Sequence, residues 1–148
     1  MNITFLGAAH EVTGSCFRID SNGRSFLVDY GLYQGGMDAY RKNRARPQFD
    51  PREIDFVLLT HAHIDHSGLL PRLVDLGFRG PIYATPATCD LLGVMLPDAA
   101  YVQEREAERK YGKRAGKPLY TREHAQLALR QLRPVHYGET MDLRAGVR

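Results

Sequence analysis

The sequence is poor in several things, and each shortage excludes a class of protein. Only two cysteines, Cys16 and Cys89, stand among 148 residues. That is too few for a disulfide scaffold and fits a reducing, cytoplasmic compartment, with both thiols free and buried. No stretch approaches the roughly 18 consecutive apolar residues that a membrane-crossing helix needs. The start, Met1 to Gly7, has no basic head and only a short apolar run, so it does not read as a secretory leader. Neither sign of charge dominates: 20 Lys and Arg against 17 Asp and Glu leave a formal +3, a minor clue to partners. Internal repeats and low-complexity tracts are absent too, which argues against arrays and linkers. What is present is a globular composition. Hydrophobic residues at 43%, with 14 glycines added, reach about half the chain, enough to offset the entropy of folding. The length is that of one ordinary domain.

The first 60 residues read as strands joined by tight loops. Ile3–Leu6 is short and β-favouring, Cys16–Ile19 and Ser25–Val28 alternate, and Asn22-Gly23 between them supplies the positive φ values of a two-residue hairpin turn. Phe56–Leu59 is a continuous apolar run, the mark of a strand buried on both faces. Pro81–Ala84 is a further strand. Helices follow: one on the stripe Leu69, Leu70, Leu73, Val74 and Leu76, with Pro71 in its first turn and Gly77 at its end. Another opens at Thr85-Pro86 and is broken or kinked at Pro97, with a charged helical stretch from Asp98 to Arg109. Thr121 caps a helix through Leu127, Leu129 and Leu132, ended by Pro134. Pro134–Tyr137 and Leu143–Arg148 read as strands. The class is mixed α/β.

The chemistry concentrates in Thr60-His61-Ala62-His63-Ile64-Asp65-His66-Ser67-Gly68. Three histidines and an aspartate fall within six residues, directly after a buried strand. The pattern His-x-His-x-Asp-His arises by accident in roughly one such chain per thousand or fewer. Imidazole and carboxylate are a donor set zinc prefers, with manganese or iron as substitutes. Left without metal, such a cluster would have to be satisfied by hydrogen bonds alone, at a cost in desolvation. A hydrolytic zinc uses three protein ligands and a water, so four donors this close suggest two adjacent ions: His61 and His63 on one, Asp65 and His66 on the other. A water between them, deprotonated near neutral pH, would be the attacking hydroxide. Further ligands must come from elsewhere. His124 lies in a charged helix, His136 alternates on a strand, and only His10, in a Gly/Ala loop, stays open as a candidate.

This segment resembles the second motif of the metallo-β-lactamase superfamily, and Phe26-Leu27-Val28-Asp29 resembles its first. The resemblance implies a four-layer αββα sandwich, with residues 1–148 as its N-terminal portion. It also implies that Asp29 orients the histidines without binding metal, and that Asp65 acts in catalysis beside it. Phe5 to Ala9, Val12 to Cys16, Asp29-Tyr30-Gly31, Gln34-Gly35, and the runs from His66 to Pro71 and from Gly77 to Thr88 resemble the β-CASP branch of that superfamily. That branch implies hydrolysis of RNA phosphodiester bonds, two zinc ions in the complete protein, single-stranded RNA as partner, and no membrane. A homodimer is compatible with it. Hydrolysis of a small thioester or lactone, and a catalytically silent RNA-binding relative, are the alternatives. The family's later Ala-Gly-His type segment and its inserted domain have no counterpart here, so the chain reads as an N-terminal piece that is inactive alone.

Basic residues cluster at Arg41, Lys42, Arg44 and Arg46, and again at Arg109, Lys110, Lys113, Arg114 and Lys117. Phosphate binding is the functional reading; a solvated surface is the plainer one. Tyr40, Tyr101, Tyr111 and Tyr120 could stack on bases but more often such tyrosines pack.

Overall fold

The computed structural model describes residues 1–111, 117–143 and 147. Its first feature follows from two residues. Strand β2 (Cys16–Ser21) pairs antiparallel with β3 (Arg24–Val28), with Ser21 opposite Arg24. Asn22 and Gly23 form the turn at φ +49° and +74°, the left-handed geometry that matches strand twist and that asparagine and glycine adopt most cheaply. On the other side of β2 lies β1 (Asn2–Gly7), also antiparallel, with an irregular register between Phe5 and Gly7. Beyond β3 the pairing turns parallel through β4 (Phe56–Leu58), β5 (Ile82–Ala84) and β6 (Leu132–Pro134), giving one six-stranded sheet in chain order.

Strand alternation gives the sheet two different faces. Leu27, Val57, Ile82 and Leu132 stand opposite one another across β3 to β6, and the first three are 0% exposed. They join the buried residues of α3 (Leu70–Asp75), α4 (Pro86–Tyr111) and α5 (Arg122–Arg130) in one core: Leu70 and Leu73, Leu92 and Leu96, Ala125 and Ala128. Each large side chain buried here contributes about 1.5–3 kcal/mol. The opposite face is aromatic. Phe26 stacks on Phe56 at 4.6 Å and Phe5 meets Phe17 edge-on at 5.4 Å. At the β1 edge it lies open, with Phe5 67% exposed. The described residues form one helical layer on one sheet, so the mixed α/β class holds.

Several expectations need correction. A helix, α1 (Met37–Arg44), lies inside the stretch expected to hold only strands and loops. Its only buried residues are Ala39 and Asn43, so it has no apolar stripe to announce it. Helix α4 runs unbroken for 26 residues with Pro97 inside it. Leu92 and Leu96 before the proline and Ala100 after it are all buried, so one packed face continues past the lost hydrogen bond and outweighs it. Thr85 opens this helix as expected, its hydroxyl accepting from the Thr88 amide at 3.4 Å. Leu132 belongs to β6 and not to the helix capped by Thr121; the ladder with Ile82 claims it, and β6 stops at Pro134. Cys89 is only half-buried. Of the expected strand Leu143–Arg148, Leu143 and Val147 are not in strand conformation, and the remainder except Val147 lies outside the described residues. No helix among the described residues is long and apolar enough to cross a membrane.

Candidate metal centre

The carboxyl ends of β3 and β4 lie side by side, and the chain leaves each through a sharp corner. At the end of β3, Asp29 adopts φ +61°, a left-handed geometry that aspartate tolerates better than most residues. Its amide donates to the Leu58 carbonyl at 3.0 Å, and its side chain turns inward and is 2% exposed. A buried carboxylate needs donors, and four arrive. The Thr60 amide reaches Oδ1 at 2.9 Å, the Thr60 hydroxyl reaches Oδ1 at 2.9 Å, the Ser15 hydroxyl reaches Oδ2 at 3.2 Å, and His66 Nδ1 reaches Oδ2 at 2.7 Å.

These contacts turn Nδ1 of two rings toward oxygen and leave Nε2 on the other side. A carboxylate only accepts, so the His66 Nδ1 facing it carries the proton and Nε2 keeps a lone pair. The Thr60 hydroxyl has one proton, and the charged carboxylate takes it. Its oxygen, 2.9 Å from His61 Nδ1, then accepts from that ring, which leaves His61 Nε2 free as well. The imidazoles gather: His61 and His66 lie 4.1 Å apart between centroids, and His61 and His63 4.6 Å. His66 Nε2 is 3.6 Å from the Asp65 carboxylate. His63 is exposed at the head of α2 (Ile64–Ser67), while Ser67 is fully buried and donates to the carbonyls of Ala62 and His63 at 2.9 and 3.0 Å, locking the turn.

Backbone bonds hold three loops together around this turn. Ser15 N–H donates to Asp65 O at 2.8 Å, Tyr30 N–H to His66 O at 2.9 Å, and Leu32 N–H to Ile64 O at 3.0 Å. The approach is so close that a Cβ on Gly31 would stand 1.7 Å from the Asp65 carbonyl oxygen. Beneath the loops, burial first and the Asp29 charge second push the Cys16 thiol up to about 12, so it offers no thiolate near neutral pH.

The structure therefore brings His61, His63, Asp65, His66 and Asp29 into one corner. The donor set suits a divalent metal of zinc's kind, because in the neutral form both rings, each with Nδ1 turned to Thr60 or Asp29, keep the Nε2 lone pair for a ligand. Among the described residues, no group of three or more His, Cys, Asp and Glu side chains is placed so that it could hold a metal ion. Other histidines do not join. His124 caps α5 together with Thr121 and pairs with Asp75 at 3.3 Å. His10 is exposed at φ +59° in the β1–β2 loop. His136 is exposed and lines a groove with Leu58, Leu59 and Thr85. Sequence reasoning missed Ser15 and Thr60, whose hydroxyls complete the Asp29 shell; the only signal was their position beside residues already singled out.

Of the first basic cluster, Lys42 is taken by Glu11 and Asp38 at 2.7 and 2.6 Å. Arg44 lies on the Tyr40 ring at 4.0 Å. In the second, Lys113 and Arg114 fall outside the described residues. Tyr120 is buried in the core, and the Tyr101 ring carries Arg105 and Arg122 at 5.7 and 5.6 Å.

The fold and this corner define a class. Residues 11–132 match the family model of the metallo-β-lactamase superfamily, and the chain belongs to that superfamily. Among curated proteins it is 44% identical over 145 residues to ribonuclease TTHA0252 of Thermus thermophilus, covering 98% of this chain and 30% of that protein. It is 31% identical over 144 residues to the transcription termination factor FttA of Methanocaldococcus jannaschii, covering 97% of this chain and 21% of that protein. The chain thus spans less than a third of the length of these relatives. The fold is shared with MEM-A1, a subclass B3 metallo-β-lactamase isolated from a soil metagenome library, at a TM-score of 0.52 and 20% identity over 96% of this chain and 46% of that one.

Proposed function

We propose that this corner is the metal-binding part of a β-CASP-type hydrolase that cleaves phosphodiester bonds of single-stranded RNA. The observation that carries the metal reading is the Asp29 shell, which leaves Nε2 free on both His61 and His66. Asp29 holds the rings and does not itself bind metal; His61, His63, Asp65 and His66 are the ligands. Two zinc ions, or manganese or iron in their place, would supply an acidified water and electrostatic stabilisation of the charge developing on the phosphoryl oxygens. The chain's own part is orientation. Thr60 and Asp29 fix two imidazoles, and Ser67 fixes the turn that carries His63. RNA as substrate is supported by the 44% identity to a protein named as a ribonuclease.

We also propose that residues 1–148 alone bind zinc weakly and leave RNA uncut. The test sets the complete protein and this chain side by side on single-stranded RNA, a thioester and a lactone. RNA cleavage by the complete protein, abolished by His63→Ala and accompanied by close to two metal ions per chain, is expected. Faster turnover of the thioester or lactone overturns the choice of substrate. RNA turnover by the 148-residue chain, lost in His63→Ala, overturns the claim that it is inactive.

A further inference from the structure

Two adjoining cavities run along the β5–β6 side of the sheet, away from the metal corner. The nearer one, about 410 Å³, starts at Leu58 and Leu59, directly before Thr60, and passes His136 and Tyr137. The farther one, about 530 Å³, is lined by Arg79, Gln131 and Arg133. Tyr83 and Met141 line both, so the two make one groove. The Leu59 amide donates to the Tyr83 carbonyl at 2.9 Å, tying the groove to the strand that leads into Thr60. We propose that this groove holds a single strand of RNA, with bases against Tyr137 and His136 and a sugar-phosphate unit at Arg79, Gln131 and Arg133. The strand as occupant rests on the RNA-directed reading above; the chemistry of the groove does not.

The farther end calls for an anion. Arg79 Nη1 donates to the carbonyls of Val74 and Phe78 at 2.8 and 2.7 Å, and Arg133 Nη1 to those of Arg130 and Leu132 at 3.0 and 2.7 Å. Backbone thus fixes both guanidinium groups, and among the described residues neither meets a carboxylate. By contrast, Arg18, Arg24, Arg52, Arg105 and Arg122 are all paired with acids. The remaining N–H groups of two held cations suit phosphate oxygens. Beside Arg79 lies an acceptor without a donor. Gln131 Nε2 donates to the same Phe78 carbonyl at a long 3.4 Å, while its Oε1 is buried with no partner among the described residues. A buried acceptor left so is costly, and turning the carboxamide toward the groove exchanges that long bond for a ligand's hydroxyl. Phosphate oxygens only accept, so the donor has to come from the sugar. The 2′-hydroxyl is the donor that RNA has and DNA lacks. The nearer end suits bases. Tyr137 is 91% exposed and His136 is exposed beside it, and exposed rings next to held cations are the pattern of single-strand binding. Glu139 also lines this end; it accepts from the His136 amide at 3.3 Å, and its charge keeps phosphates to the arginine end.

The complete protein is used in a His63→Ala background, so that cleavage plays no part. It is titrated with a uridine dodecanucleotide, with the deoxyuridine strand of the same length, and with uridine monophosphate. Arg79→Ala and Arg133→Ala should each weaken RNA binding about 5–10-fold and lower the slope of log affinity against log salt by about 0.7. Tyr137→Ala should weaken it about 5–10-fold and leave that slope unchanged. Gln131→Met should cut the preference for the RNA strand over the DNA strand about 5-fold. Arg122→Ala, which also removes a positive charge but one paired with Glu104, should leave affinity, slope and preference as they were. An RNA preference unchanged in Gln131→Met overturns the sugar contact. Uridine monophosphate that binds as tightly as the dodecanucleotide, and is lost in the arginine variants, overturns the strand as occupant in favour of a free nucleotide. Arginine and tyrosine variants that bind the dodecanucleotide with unchanged affinity and slope overturn the groove and leave the RNA reading standing. A parent protein that binds none of the three probes overturns the groove and counts against the RNA reading too.

Discussion

The turn from His61 to His66 has two sides built in different ways. Its inner side rests on Asp29, 2% exposed and held by donors from Ser15, Thr60 and His66. Its outer side carries the exposed His63 and an Asp65 carboxylate whose near partner among the described residues is a ring nitrogen at 3.6 Å. On the inner side, both Asp29 oxygens have donors among the described residues. The outer side is a row of candidate donor atoms. The contrast teaches that the corner and what it displays are built from different residues: Asp29, Thr60 and Gly31 make the corner, and the proposed ligands are what it displays. Substitutions on the outer side should therefore cost metal binding with little stability, whereas those on the inner side should cost stability first and weaken metal binding through the rings they hold.

The largest effect belongs to Asp29→Ala. It strips the shared acceptor from four donors and places alanine at φ +61°, so a loss of about 3–5 kcal/mol is expected in urea melts. Zinc affinity should also fall by about 10–100-fold where the protein still folds. Asp29→Asn keeps a residue suited to the left-handed backbone and should lose markedly less stability. Equal losses for the two variants would show that the carboxylate charge, and not the corner geometry, dominates. Next comes Gly31→Ala. Its Cβ would lie 1.7 Å from the Asp65 carbonyl oxygen, backbone that cannot swing away, and about 2–3 kcal/mol is expected from the forced separation of the loops. A melt unchanged by this substitution would mean that the loops are less tightly joined than these contacts indicate.

Smaller again is the response to alkali. The Cys16 thiol is raised from 9.0 to about 12 by burial and then by the Asp29 charge, and burial raises the Tyr120 phenol from 10.0 to about 12. Above pH 9 the unfolded chain releases the thiol proton while the folded chain keeps it, so stability falls as pH rises. The contribution is intact below pH 9 and is lost between about 9 and 12, with Tyr120 adding to the loss from about pH 10. The slope is at most about 1.4 kcal/mol per pH unit for each group, so roughly 1 kcal/mol should vanish between pH 8 and pH 10. Cys16→Ala should flatten that fall, and a stability curve as steep as before would remove Cys16 from the inner side's account.

How much of this could be read in advance follows from how local each feature is. The Asn22-Gly23 turn, the apolar run of β4 and the His61–His66 motif depend on neighbours in sequence, and all three were legible. So was the class of fold, because strands and helices each carry their own period. Helix α1 was not, since its exposed, charged residues form no stripe. The end of the α5 helix was misplaced because Leu132 continues the helical pattern, yet its parallel ladder with Ile82 decides its place. At the site, the cluster of His61, His63, Asp65 and His66 was visible, but the shell around Asp29 was not. Ser15 and Asp29 lie 14 positions apart, and Asp29 and Thr60 lie 31 apart. No pattern within a strand or helix reports such a meeting. The groove along β5 and β6 is still less accessible to sequence reasoning, because Arg79, Gln131 and Arg133 have only their final position in common.

The smallest change in stability, and the sharpest test of the division between the two sides, is expected from His63→Ala. The ring is exposed, no side-chain hydrogen bond is formed by it among the described residues, and its backbone role at the head of α2 survives in alanine. Exposed substitutions of this kind fall within about 0.5 kcal/mol. Zinc binding by the complete protein should nevertheless be lost, because removing one of so few donors leaves the ion short of ligands. Isothermal titration and urea melts on one preparation read both quantities. A variant that melts unchanged and no longer takes up zinc assigns His63 wholly to the outer side. If the melt also falls by 2 kcal/mol or more, the edge-on contact with His61 at 4.6 Å is structural, and the line between scaffold and ligand must be redrawn to include it. If zinc binding survives, His63 is not a ligand, and the metal must be held by His61, Asp65 and His66 with donors from another part of the protein.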